Sequence, residues 1–160
     1  MNQSDVLIIG AGVAGYSLAI RLAQKRPELS VTVLTKSTEK ESNTSYAQGG
    51  VAAVWDKSLD NFQKHIEDTL DAGDGICNEK IVEIVVKEGP ERIADIIDWG
   101  ARFDKNKEGN YDLGKEGGHS ENRILHYKDI TGWEIQRTLN DKAKEYSNIT
   151  FHEHYYAIDI

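Results

Sequence analysis

Residues 5–15 read DVLIIGAGVAG, an apolar run from Val6 to Ile9 that meets Gly10, Gly12 and Gly15 in G-x-G-x-x-G spacing. The run reads as a buried strand. The apolar positions of residues 13–24, VAGYSLAIRLAQ, follow helical spacing, and residues 30–35, SVTVLT, read as a second strand. Together they make a β-α-β unit. In such a unit the three glycines have separate tasks: Gly10 permits the tight turn, Gly12 lets backbone approach a pyrophosphate, and Gly15 lets the helix pack close to the strand. The helix start offers unpaired N–H groups and partial positive charge to phosphates. Gly10, Ala11, Gly12, Val13, Ala14 and Gly15 are therefore candidate dinucleotide-binding residues. Ordinary NAD sites carry an acid about 20 residues on, to accept the ribose hydroxyl. This chain has Thr35 and Lys36 there. A lysine cannot accept those bonds but can face a phosphate, so Lys36 joins the candidate set.

Outward from this unit, length and charge narrow the possibilities. The chain has 160 residues, 39% hydrophobic and 29% charged, about one domain's worth. No segment approaches the ~20 apolar residues of a membrane-spanning helix. The first residues lack a basic n-region and a cleavable apolar run, so no secretory signal is expected. A single cysteine, Cys77, cannot form an internal disulfide. We expect a cytoplasmic protein. The net charge of −8 disfavours nucleic acid and anionic membrane as partners. The sequence stops within a strand pattern, and we expect it to be part of a longer chain.

Further along, residues 59–73 read as an amphipathic helix with Leu59, Phe62, Ile66 and Leu70 on one stripe. Residues 79–88 and 90–99 read as two helices, the second with Pro90 at its start and Gly100 past its end. Residues 104–118 carry turn signals, and 123–127 are strand-like. Thr131 and Glu134 suggest a capping box for a helix to about Tyr146, and residues 148–160 suggest one or two strands. His152 and His154 would share a strand face. No Cys pair or H-E-x-x-H pattern points to a metal, and none is expected. Between strand and helix lies ESNTSYAQGGVAAV, residues 41–54, a loop dense in short hydrogen-bonding groups.

GAGVAG, LTK, SNTSYAQGGVAAV and EGGHSENRILHYKDITG occur in the order and approximate spacing of the L-aspartate oxidases. Those enzymes belong with the flavoprotein subunits of succinate dehydrogenase and fumarate reductase, and the resemblance covers essentially all 160 residues. It implies an α/β fold, a Rossmann-like FAD-binding domain of the glutathione-reductase type, of which residues 1–160 form the N-terminal part. Capping and C-terminal helical domains, with the main catalytic arginines and histidines, would lie outside these residues. These residues alone would then be inactive. The implied reaction is oxidation of L-aspartate to iminoaspartate, with electrons passed to O2, giving peroxide, or to fumarate. It would be the first step of quinolinate and NAD biosynthesis, with quinolinate synthase as a further partner. Asn43, Thr44, Ser45, Tyr46, Ala47, Gln48, Gly49 and Gly50 would form a second lip for FAD. Related dehydrogenases place a flavin-linking histidine where this sequence has Asn43, so the resemblance implies noncovalent FAD. Glu116, in EGGHS, would orient the substrate: a carboxylate suits a dicarboxylate that also carries an amino group. The alternatives are a fumarate reductase or succinate dehydrogenase flavoprotein, and a non-catalytic dinucleotide-binding module.

Overall fold

The computed structural model describes residues 3–159. In chain order the elements are β1 (Val6–Ile9), α1 (Val13–Lys25), β2 (Val31–Leu34), α2 (Asn43–Tyr46), β3 (Val51–Ala52), α3 (Phe62–Ala72), α4 (Glu79–Asp98), β4 (Leu113–Gly114), β5 (Ile124–Leu125), α5 (Thr131–Ala143) and β6 (Ile149–His152). They fall into two compact units. One comprises residues 1–47 and 132–160, and the other residues 48–131.

The first unit holds a parallel sheet of order β1-β2-β6, with Val31 of β2 opposite Val6 on one side and Ile149 on the other. The β-α-β reading is met: α1 connects β1 to its parallel neighbour β2. Tyr16, Ala19, Ile20 and Ala23 make the buried stripe of α1, at the i, i+3, i+4 spacing that puts side chains on one helical face. Val31, Val33 and, from α5, Leu139 are also fully buried. The Tyr16 ring lies 5.1 Å from that of Phe151, and its hydroxyl accepts a 2.8 Å bond from the buried Asn140 amide. Burial raises the Tyr16 pKa, so this hydroxyl stays protonated. β1 departs from the expected fully buried run. Ile8 is buried, but Leu7 and Ile9 are about half exposed, at 53% and 51%. Successive strand residues face opposite sides, and only the Ile8 side is covered among the described residues.

The second unit carries an antiparallel sheet of order β3-β5-β4. Its core joins Ala53, Ile93, Ala101, Phe103 and Leu125, with Trp55 packed edge-on to Tyr111 at 5.4 Å. α3 begins later than expected. Asn61 caps it by accepting the Lys64 N–H, which leaves Leu59 outside the helix and 63% exposed. Residues 79–98 form one helix instead of two, with Pro90 inside it. The steric clash that keeps the residue before proline out of the helical region involves that residue's Cβ. Gly89 has none, which lessens the clash; α4 continues through Pro90, and Val86 and Ile93 share its buried face. The stop at Gly100, φ +105°, is as read from the sequence.

α5 starts at Thr131, so the residue expected as its cap is its first helical residue. The Thr131 hydroxyl accepts the Tyr127 N–H, and the buried Glu134 carboxylate takes two bonds from Arg137. β6 ends at His152, and His154 sits in a turn at φ +60°, so the two histidines do not share a strand face. Among the described residues no group of metal-ligating side chains converges, and no helix is long and apolar enough to cross a membrane.

Candidate functional site

Parallel strands that lie side by side bring their C-terminal ends to one crevice, where ligands bind in open α/β sheets. In the first unit the chain leaving β1, β2 and β6 lines a cleft of about 690 Å³. Gly10, Ala11, Gly12, Val13 and Ala14 form one wall, and Lys36 lies beyond β2. Asn43, Thr44 and Tyr46 contribute from α2. These nine sequence-predicted residues are brought together.

The glycine loop has the geometry that a phosphate cradle requires. Gly10 sits at φ +108°, a conformation that side chains rarely adopt. A Cβ on Gly15 would stand 1.9 Å from the Gly10 carbonyl oxygen, so Gly15 sets how closely helix and loop pack. A Cβ on Gly12 would meet only the Thr44 hydroxyl, at 3.8 Å, and would otherwise project into open space. The start of α1 has no side-chain cap and no acidic residue in its first turn. Thr44 Oγ1 accepts the Val13 N–H at 3.2 Å. Among the described residues the Ala14 and Gly15 N–H groups have no acceptor. Helix-terminal donors of this kind are ready for an anion. The residues present therefore fit the pyrophosphate of a dinucleotide.

The second lip is more ordered than a loop. Residues 43–46 form one short helical turn closed by a capping box, in which the Ser42 hydroxyl accepts the Ser45 N–H and the Ser45 hydroxyl accepts the Ser42 N–H. Ser45 thus holds the turn and does not line the cleft. Ala47 also sits behind it, its carbonyl accepting the Gly132 N–H at 2.9 Å. Gly132 permits that approach: a Cβ there would lie 2.0 Å from the Thr44 carbonyl oxygen. Tyr46 is exposed, its hydroxyl bonded to Glu41.

Gln48, Gly49 and Gly50 belong to the second unit, where Gln48 and Gly49 line a shallow concavity of about 410 Å³ with Glu116, Lys115, Lys128 and Asp129. Glu116 begins a tight turn, its carbonyl accepting the His119 N–H, with Gly118 at φ +82°. Its carboxylate accepts the Gly50 N–H at 3.2 Å. A Cβ on Gly49 would come 3.2 Å from the same carboxylate. Gly50 is packed instead of open: a Cβ there would stand 2.0 Å from Ile124 Cγ2.

Sequence reasoning left several residues of these sites unassigned. Tyr155 and Tyr156 line the first cleft. The parallel-sheet rule could have placed them there, since they follow β6. Arg123, set down only as the start of a strand, is fully buried. Its guanidinium forks onto both Asp60 oxygens at 2.8 Å and also reaches Asp68 and His119 Nδ1. Burial works to raise the Asp68 pKa, but bonds from the Ser120 N–H, Arg123 and the Ser120 hydroxyl outweigh it and hold it at about 2. This network fastens α3 to the turn that carries Glu116. No local sequence signal marks a pairing between residues so far apart.

A parallel β-α-β unit with a glycine turn, open helix-terminal amides and a cleft at the strand ends defines a dinucleotide-binding α/β protein. Comparison with known proteins narrows the class: the FAD binding domain family matches residues 5–160, and the chain belongs to that family. It is 46% identical over 156 residues to an L-aspartate oxidase of Arabidopsis thaliana, covering 98% of this chain and 23% of that protein. It is 47% identical over 161 residues to an L-aspartate oxidase of Yersinia pestis, covering 98% of this chain and 30% of that one. Among solved structures, a quinol fumarate reductase of E. coli superposes with a TM-score of 0.93 at 29% identity, covering 99% of this chain and 27% of that chain. The chain thus spans under a third of each of these relatives.

Proposed function

We propose that these residues are the N-terminal, FAD-holding part of an L-aspartate oxidase, acting on L-aspartate to give iminoaspartate, with electrons passed to O2 or fumarate. FAD, when bound, supplies the two-electron acceptor. Everything else asked of this chain is binding and orientation. The Ala14 and Gly15 N–H groups and the bare Gly12 backbone receive the pyrophosphate. Lys36 stands at the end of β2 as a cation facing the cleft. Asn43 presents an amide that can hydrogen-bond to flavin but offers no ring nitrogen for a covalent link, so FAD is held noncovalently.

Glu116 and its neighbours suit an amino dicarboxylate. The carboxylate on the Gly50 N–H can receive an ammonium group, while Lys115 and Lys128 line the same concavity and can attract carboxylates. Plain succinate gains nothing from Glu116 and is repelled by it at close range. The single observation that carries the reading is this acid at the EGGHS turn in a chain similar along nearly all its length to L-aspartate oxidases. The remaining catalytic groups, the capping domain and the C-terminal helical domain are assigned to the rest of the protein, with quinolinate synthase as a consumer of the product and the cytoplasm as its location.

The test is turnover by the full-length protein on L-aspartate against succinate, followed as peroxide release and as fumarate-coupled flavin reoxidation. L-aspartate is expected to be the substrate. Activity on succinate without activity on L-aspartate would transfer the chain to the fumarate reductase and succinate dehydrogenase branch. A protein that binds no flavin would make it a non-catalytic nucleotide module.

A further inference from the structure

Gln136 lies on α5, far in sequence from both lips of the cleft, and is buried at 3% exposure. Its amide reaches three groups. Nε2 donates to the Ala11 carbonyl at 3.2 Å and to the Glu39 carbonyl at 3.1 Å. Oε1 accepts the Ser42 hydroxyl at 2.8 Å. The two carbonyls can only accept, so the nitrogen must face them and the amide orientation is fixed by its partners. Ala11 belongs to the glycine loop. Glu39 and Ser42 belong to the segment leading into the Asn43–Tyr46 turn.

We propose that Gln136 is a positioning residue for the cofactor, a strut that sets the spacing between the glycine loop and the second lip. The proposal rests on the reading of the cleft as an FAD site. Three features support it. The amide satisfies both N–H donors and one acceptor lone pair, which makes it a fixed spacer and not a passive packing group. Ser42 is the cap of the second lip, and its hydroxyl donates to Gln136 while accepting the Ser45 N–H. The Ala11 carbonyl lies between Gly10 and Gly12, so any drift of the strut moves the loop that must meet phosphate. A shift of about 1 Å at such a site is enough to lose much of its binding. Gln136 itself does not line the cleft, so it acts only through the groups it holds.

The test is FAD affinity of the full-length apoprotein, measured by quenching of flavin fluorescence at a temperature where each variant is folded. Gln136→Leu is expected to raise the Kd at least tenfold, and Ser42→Ala about threefold. In the double variant the Ser42 change is expected to add less than its own threefold, because the two residues share one bond. Gln136→Glu supplies a readout that packing alone would not move. A carboxylate facing two carbonyls repels them, whereas the protonated acid can donate to one. FAD affinity of this variant should therefore rise as pH falls from 8 to 5.5, relative to the unsubstituted protein. Glu39, Lys40, Arg137 and Asp141 surround the position in both proteins, so the comparison cancels their titration. Gln136→Leu or Ser42→Ala binding FAD within twofold of the unsubstituted protein overturns the strut, as do multiplicative effects in the double variant. If Gln136→Leu does not fold, the Ser42→Ala Kd and the Gln136→Glu pH profile decide it alone. An unsubstituted protein that binds no FAD would instead overturn the cleft assignment, and the strut with it.

Discussion

Gly15→Ala tests the glycine turn because two physical effects oppose each other in sign. Gly15 lies inside the first turn of α1. By helix propensity alone, alanine there should stabilise the protein by up to about 1 kcal/mol. The structure dictates the reverse. The new Cβ would stand 1.9 Å from the Gly10 carbonyl oxygen and 3.1 Å from its carbon, where real contacts essentially never fall below 3.0 Å. The obstacle is backbone, and it cannot swing away. Gly10 is held by its N–H on the Leu34 carbonyl at 2.8 Å and by its φ of +108°. Helix and loop must therefore separate by about 1 Å, an overpacking that costs about 1–3 kcal/mol or more. After the propensity gain we expect a net loss of up to about 2 kcal/mol. The full-length relatives are more than three times as long as this chain, so the melting midpoint falls by less than the about 2–4 °C per kcal/mol of a 150–250-residue chain. The assay is thermal unfolding of the full-length apoprotein beside the unsubstituted one. A midpoint equal to or above the unsubstituted value would refute the packing role of Gly15.

Gly12→Ala should behave differently. Its Cβ meets only the Thr44 hydroxyl at 3.8 Å, so the apoprotein melts within about 2 °C of normal while FAD affinity falls at least tenfold, read by fluorescence titration. Asp60→Ala removes two of the five hydrogen bonds on the buried Arg123 guanidinium and should cost about 3–5 kcal/mol in denaturant unfolding. The Asp68 pKa is depressed to about 2, so its contribution is complete above the ordinary carboxylate range and is lost as pH falls from about 4 through 2. Asp68→Asn should therefore flatten the loss of stability over that window, measured by acid unfolding.

The parts of this molecule that were legible in sequence are those whose signals are local. The glycine spacing, the stripe of α1 and the short apolar strands are each read within a dozen residues, and each fixed an element that the structure holds. The SNTSY stretch reads as a loop, because a one-turn helix closed by Ser42 and Ser45 has no apolar period to detect. α4 reads as two helices because proline usually breaks a helix, whereas Gly89 has no Cβ and so lacks part of the clash that keeps the preceding residue out of the helical region. Gln136 and the Arg123–Asp60–Asp68 network were missed for another reason. Their meaning lies wholly in partners many residues away, and a lone glutamine or arginine carries no mark of them. The division of residues 43–50 between two units was likewise invisible, since the composition is continuous across Ala47 and Gln48.

The central claim is that this cleft, which Asn43 lines, holds FAD through backbone and side-chain hydrogen bonds with no covalent link. The most direct measurement is to purify the flavin-loaded full-length protein, unfold it in denaturant, and separate polypeptide from small molecules by gel filtration. The account predicts one FAD per chain, all of it in the small-molecule fraction. Flavin fluorescence that stays with the unfolded polypeptide, or a protein that carries no flavin, would contradict it.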